Sequence, residues 1–254
     1  MKLRVLGCSG GIGGSLRTTS LLLDRDVLID AGTGVGDLSL PELAAIDHVF
    51  LTHSHLDHVT SIPFMVDSVG WMRSAPLVIH ATEETTGILR EHLFNWKLWP
   101  DFTQIPDSVK PMLRYETISV GRAVELGGRR LTPLPANHAV PAVGYQIDSG
   151  GASLVFTGDT TTNEALWPVV NRIANLRYLV IETAFGNREM ELAIASKHLC
   201  PSMLAAELAQ LTRAAEIYIT HHKPGESDSI MREIVECAGK WQPRMLEVGQ
   251  IFEF

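Results

Sequence analysis

The sequence predicts an α/β fold in which two β-sheets pack face to face with helices on the outside. Three observations carry this: short β-type apolar runs recur along the chain, helical periodicity appears only between some of them, and the pattern is run through twice. Strands arriving in blocks with interspersed helices need two sheets, each covered on its outer face. A length of 254 residues suits one large domain, so residues 1–254 are expected to form a single unit.

Taken in order, the first series of strands is "KLRVLG" (2–7), "TSLLLD" (19–24), "VLIDAG" (27–32), "HVFLTH" (48–53), "PLVIHA" (76–81) and "RYETISV" (114–120). The second is "RRLTPLPA" (129–136), "VGYQID" (143–148), "SLVFTGD" (153–159), "RYLVIET" (177–183) and "EIYITHH" (216–222). Leucine and β-branched residues bounded by glycine, proline or aspartate mark each of them. Apolar residues at helical spacing predict helices at 57–71, 82–94, 163–175, 201–213 and 226–239. "SLPELAAI" (39–46) and "AAELAQL" (205–211) show the spacing that a core-facing helix needs. Residues 95–111, "NWKLWPDFTQIPDSVKP", are rich in proline and aromatics without a period. They read as a loop or insertion near a site, with Trp96 and Trp99 either overhanging it or anchoring the loop.

Composition excludes several classes of function. The formal net charge is −8, and basic residues are scattered singly or in pairs such as Arg129-Arg130. No stripe serves a nucleic-acid backbone, and nucleic acid is not expected as a partner. The three cysteines, Cys8, Cys200 and Cys237, form no CxxC pair and give neither a disulfide framework nor a thiolate zinc site. "VLGC" at Cys8 has too few apolar residues before it for the roughly 7–15-residue core of a signal peptide. No run approaches a membrane span. The expectation is a cytoplasmic protein with no membrane partner.

Two motifs invite a functional reading and do not sustain it. "GCSGG" (7–11) fits the G-x-S-x-G of a nucleophile elbow, which must run from strand straight into helix. Here glycine and then a strand follow, so Ser9 reads as a turn residue. "GGIGG" lacks the helix of a dinucleotide fingerprint for the same reason. It is expected as a loop bordering the site described next.

The densest chemistry is "HSHLDH" (53–58), placed directly after an apolar strand. His53 and His55 are two apart in extended chain and point the same way. A helix beginning near Asp57 brings Asp57 and His58 to the same mouth. Crowded imidazoles and a carboxylate lose hydration, and a divalent metal removes that cost. Nitrogen and oxygen ligands without thiolate suit Zn²⁺, Mn²⁺ or Fe at a catalytic centre. Four ligands from one loop divide more readily between two metals than they close around one. Further ligand types stand at downstream strand ends: His138 in "LPANHAVP", Asp159 in "LVFTGDT", and His221 with His222 in "IYITHHKP".

"HSHLDH", then a lone histidine, then "GDT", then "ITHH" resembles the metallo-β-lactamase superfamily over nearly the whole chain, including the opening "LGCSGGIGG" and "TTSLLLDRDVLIDAG". The resemblance implies a four-layer αβ/βα sandwich holding two metal ions, zinc first among the candidates. Carried over residue by residue, His53, His55 and His138 hold the first ion, Asp57, His58 and His221 the second, and Asp159 bridges. Strand alternation turns His222 away from His221 as a supporting or surface histidine, with an exchange of the two left open. Homodimerisation is a further expectation from the family.

Two ions less two carboxylates and a hydroxide leave the site at about +1, which favours an anionic substrate. A divalent pair clamps phosphoryl oxygens, so phosphodiester hydrolysis ranks ahead of amide or thioester cleavage. "VIETAFGNREMELAIASKHLCPSMLAAELAQL" resembles a segment shared by transfer-RNA 3′-processing nucleases and class II cyclic nucleotide phosphodiesterases. The match makes Glu182 and His198 catalytic beside Asp57: His198 protonates the leaving oxygen, and Glu182 keeps its imidazole cationic. Leu56, where the transfer-RNA nucleases usually carry glycine, and "KHLCP" resemble the cyclic nucleotide branch. Ser61 and Lys197 depart from glycines usual in the family, and Lys197 bears on how phosphate is held. The expected activity is therefore hydrolysis of a 3′,5′-cyclic nucleotide (cAMP/cGMP-like) or related small phosphodiester by a hydroxide held between two metals. A transfer-RNA 3′-processing endonuclease and a di-iron oxygen-binding or redox sensor are the alternatives. Such a sensor has no need of His198 and Glu182.

Overall fold

The computed structural model describes residues 1–254. The first sheet contains β1 (Lys2–Gly7), β2 (Ser20–Leu23), β3 (Val27–Ile29), β4 (His48–Phe50), β5 (Leu77–Ala81), β6 (Leu113–Thr117) and, closing one edge, β14 (Ile251–Glu253), in the order β14-β1-β2-β3-β4-β5-β6. The second runs β13-β12-β11-β10-β9-β8-β7. Its strands are β7 (Val124–Leu126), β8 (Arg129–Pro135), β9 (Val143–Asp148), β10 (Ser153–Phe156), β11 (Leu176–Glu182), β12 (Glu216–Thr220) and β13 (Arg244–Met245). Each sheet has an antiparallel half followed by a parallel half: β1 to β3 pair antiparallel and β3 to β6 parallel, while β7 to β10 pair antiparallel and β10 to β13 parallel. That is the repeated pattern of the sequence.

Alternation along the strands separates three apolar layers. Leu3, Val5, Leu21, Leu23 and Ile29 pack against Tyr145, Ile147, Leu154 and Phe156 between the sheets. Leu22 and Leu28 turn the other way, onto Ile62, Met65 and Val66 of the helices outside the first sheet. Leu179, Ile217 and Ile219 meet Leu204, Leu208, Ile230 and Ile234 outside the second. With both faces covered, strands such as "SLLL" are buried at every position, which is why they read as continuous apolar runs.

The outer helices are α1 (Leu40–Ala44), α2 (Leu56–Val59), α3 (Ser61–Val69) and α4 (Glu83–His92) on the first sheet's part of the chain, then α5 (Trp167–Val170), α6 (Met190–Ser196), α7 (Pro201–Leu208) and α8 (Ser227–Ala238). Three expectations are corrected. The helix read over 163–175 shrinks to the single turn of α5, because the 163–166 stretch is held instead by Asn163 and Trp167 donating to the buried Glu207 carboxylate. The run "SLPELAAI" forms α1, but none of its helical residues is buried; a reciprocal Ser39–Glu42 capping box sustains it. The apolar runs 48–53 and 153–159 are strand only as far as Phe50 and Phe156; beyond them the chain serves the site. Residues 95–111 are irregular, with Trp99 against Phe64 at 5.2 Å between ring centres and Trp96 exposed. No helix is long and apolar enough to cross a membrane.

Candidate metal centre

Parallel strands end at the same edge of a sheet, so residues just past them converge. Asp30 follows β3, His53 follows β4, Asp159 follows β10, Glu182 ends β11 and His221 follows β12. β8 is antiparallel to β9, which is antiparallel to β10, so His138 also leaves on that side. The structure brings His53, His55 and His138 together as one group of potential ligand atoms, and Asp57, His58, Asp159 and His221 as another. His138, Asp159 and His198 form a third that shares members with both.

Asp159 lies between the groups. Its Oδ2 is 3.2 Å from His58 Nε2, 3.3 Å from His221 Nε2 and 3.8 Å from His53 Nε2. Gly158 supplies the turn that aims it, with φ of 63° and the Val143 carbonyl 2.9 Å from where a Cβ would stand. Burial works against the Asp159 carboxylate, but His221 and His58 beside it hold its pKa well below the usual range. Asp57 is partly exposed on α2, with Oδ2 3.6 Å from His58 Nε2 and 3.8 Å from His221 Nε2.

Hydrogen bonds on the far side of the rings decide which nitrogens face inward. Thr52 Oγ1 donates its one proton to Asp30 Oδ2 at 2.8 Å, so His53 Nδ1–H donates to Thr52 Oγ1 at 2.9 Å and His53 Nε2 is left as an acceptor. His58 Nδ1 donates to Asp30 Oδ2 at 2.7 Å. His138 Nδ1 donates to the Lys197 carbonyl at 3.0 Å, leaving Nε2 3.1 Å from His55 Nδ1. His53 Nε2 and His58 Nε2 are buried without a hydrogen-bond partner. Inward-facing nitrogens with the opposite nitrogen anchored are the arrangement metal-bound histidines show. The donor set of imidazole nitrogens and carboxylate oxygens fits two divalent cations.

Burial lowers the pKa of His53 and His55, takes His138 to about 4 and takes His221 to about 3, so all four rings are neutral near pH 7 and ready to bind a cation. His58 differs: burial opposes its charge, but Asp159 and Asp30 on either side outweigh it and raise its pKa well above the usual value. A cation taken up there displaces that proton.

His198 sits at the rim of the cluster, between α6 and α7. Its ring centre is 5.0 Å from that of His138 and 5.2 Å from that of His221, on which it stacks. Its Nδ1 donates to Glu182 Oε1 at 2.7 Å. Glu182 is fully buried and is fixed by the Thr160 amide at 3.0 Å and the Leu199 amide at 3.2 Å. Burial lowers the His198 pKa, but the Glu182 carboxylate more than offsets it and the net direction is upward.

His221, not His222, joins the cluster, but the reason differs from strand alternation. β12 stops at Thr220, and His221 adopts a left-handed φ of 69° with its amide bonded to the Cys8 carbonyl at 2.8 Å. His222 is buried rather than on the surface, and lines a cleft with Cys8, Met245 and Leu246 on another side. The glycine loop borders the mouth as expected: a Cβ on Gly10 would stand 3.2 Å from His221 Nε2. Sequence reading missed Asp30 and Thr52. The signal was present in "VLIDAG", an aspartate at the end of an apolar strand. His48 and His80 pair with each other at 3.0 Å, apart from these groups.

Comparison with known proteins places the fold. A family model described as "Beta-lactamase superfamily domain" matches residues 25–222. A probable 3′,5′-cyclic-nucleotide phosphodiesterase of Yersinia pestis is 26% identical over 204 residues, which cover 71% of this chain and 58% of that protein. Ribonuclease Z of Bradyrhizobium diazoefficiens is 26% identical over 278 residues, covering 86% of this chain and 88% of the other. Among solved structures, unliganded yeast PDE1 superposes with a TM-score of 0.82 at 17% identity, over 100% of this chain and 99% of that one. At that identity the likeness speaks for the fold.

Proposed function

The chain belongs to the β-lactamase superfamily, and from that premise we propose that it is a two-metal phosphodiesterase acting on a 3′,5′-cyclic nucleotide or a related small phosphodiester. The observation that carries the reading is the His198–Glu182 pair beside the metal-ligand cluster. Two divalent cations, when bound, supply Lewis-acid polarisation of a phosphoryl group and an activated water. His53, His55 and His138 would hold one, Asp57, His58 and His221 the other, with Asp159 between them. Asp30, Thr52 and the Lys197 carbonyl orient the rings. Glu182 keeps a proton on His198, whose free Nε2–H then serves the departing oxygen as general acid. An oxygen-binding or electron-transfer centre has no use for that proton donor.

Preference for a small substrate over a transfer RNA rests on charge. The chain carries a net charge of −8, and Arg17, Arg73, Arg129 and Arg244 are each engaged by carboxylates, which weighs against a basic surface for a polyanion. The ribonuclease reading keeps one point in its favour, the fuller coverage of the Bradyrhizobium enzyme. Zinc-loaded protein offered bis-p-nitrophenyl phosphate, cyclic AMP, cyclic GMP and a precursor transfer RNA separates the two. Cleavage of the small diesters supports the proposal; cleavage of the transfer RNA alone replaces it with the ribonuclease.

A further inference from the structure

We propose that Lys197 is a positioning residue of this site, gripping His138 at both ring and backbone and so keeping it in register with His198. The inference rests on the two-metal reading above. Lys197 closes α6 in the left-handed conformation, with φ of 56° and ψ of 52°. Helices that end this way usually place glycine there, because a Cβ is disfavoured in that region. A long side chain kept at such a position points to work that glycine cannot do.

The contacts identify that work. The Lys197 carbonyl accepts from His138 Nδ1 at 3.0 Å, while its ammonium donates to the His138 carbonyl at 3.1 Å and to Asn137 Oδ1 at 3.3 Å. Both acceptors of the ammonium are neutral oxygens, so this is not an ordinary surface ion pair. Asn137 is itself tied to the segment after Asp159: its amide is held by Thr160 Oγ1 at 3.0 Å, its carbonyl accepts from the Thr161 amide at 2.9 Å, and its side chain donates to the Thr162 carbonyl at 2.8 Å. Lys197 thus joins three loops, those carrying His138, Asp159 and His198. Its immediate neighbour His198 has its ring centre 5.0 Å from that of His138. The left-handed turn aims the carbonyl at the imidazole, and the ammonium clamps the peptide on which that imidazole is mounted. Glycine preserves the first of these contacts and loses the second.

The test uses full-length protein, with zinc affinity read by competition with a chromophoric chelator, which needs no turnover. Lys197→Gly removes the ammonium and relieves the backbone, so its Tm is expected to equal or exceed that of the wild type. Its zinc affinity is nevertheless expected to fall by about tenfold, at the lower end of what loss of a supporting contact does. Turnover of bis-p-nitrophenyl phosphate is expected to fall through kcat with KM little changed. Lys197→Met keeps the aliphatic stem and the left-handed turn, and is expected to lose zinc affinity equally. A purely structural role predicts the opposite, affinity following Tm. A glycine variant with zinc affinity and kcat within twofold of wild type overturns the role of Lys197 alone. A wild-type protein that binds no zinc overturns the two-metal reading and this inference together.

Discussion

Replacing Asp30 by asparagine tests the layer beneath the proposed metal ligands. Asp30 is fully buried, and its two oxygens accept three donors: the Thr52 amide at 2.8 Å, Thr52 Oγ1 at 2.8 Å and His58 Nδ1 at 2.7 Å. An amide of the same shape has one oxygen. At best it retains Thr52 Oγ1 and His58 on that oxygen, and its NH2 then faces the Thr52 N–H, which is left unsatisfied. One buried unsatisfied donor costs about 1–3 kcal/mol. For a chain of this size that lowers Tm by about 2–4 °C per kcal/mol. Loss of the carboxylate also makes His58 a poorer ligand, and disruption of such a supporting contact typically reduces metal affinity about 10–100-fold. Differential scanning calorimetry of the metal-free protein measures the first effect, and chelator competition the second. An Asp30→Asn variant with both Tm and zinc affinity unchanged would refute the tautomer argument on which the inward-facing nitrogens depend.

Asp57→Ala removes a proposed ligand whose side chain is 29% exposed, so it should abolish activity and metal binding at one site while far-UV circular dichroism and Tm stay near wild type. His198→Ala should lower kcat by about 10²–10⁴-fold, the usual worth of a general acid, with metal content by elemental analysis unchanged; a fall in bound metal would make His198 a ligand instead, as its grouping with His138 and Asp159 permits. Away from the site, Arg129 NH2 donates to Asp26 Oδ2 at 2.7 Å, and this hydrogen bond lowers the Asp26 pKa. A depressed carboxyl pKa stabilises above the unfolded value, about 3.9, and the gain disappears as pH falls through the folded value. Arg129→Met should therefore cost about 0.5–1 kcal/mol at pH 7, discounted for partial exposure, and the difference in denaturation midpoint should close below about pH 4. Cysteine labelling near pH 8 should modify Cys237 first, because it is exposed, whereas burial pushes the Cys8 thiol up to about 12 and leaves almost no thiolate.

The parts of the fold legible in the sequence are those where burial leaves a periodic or continuous apolar signal. "SLLL" and "LRYLVIE" are covered on both faces and stand out. β7, β13 and β14 are short strands at or near sheet edges with at most one buried residue each, and their few apolar positions resemble loop. α6 buries only Ala193 and leaves Leu192 and Ile194 exposed, so helical periodicity does not betray it. At the site, ligand-type residues past strand ends could be gathered by spacing alone. Asp30 and Thr52 could not, since their work is visible only once the ring nitrogens have directions. Neither could the clamp made by Lys197, which depends on a left-handed backbone. His221 reached the cluster through a similar turn, where alternation alone would have been a poor guide.

Metal titration of chelator-stripped protein, with hydrolysis of bis-p-nitrophenyl phosphate and bound metal followed on the same sample, decides whether the chain is a two-metal phosphodiesterase. Activity should rise with occupancy and level off at two divalent ions per chain. Protein that fills both sites and leaves this diester and both cyclic nucleotides intact would contradict that reading.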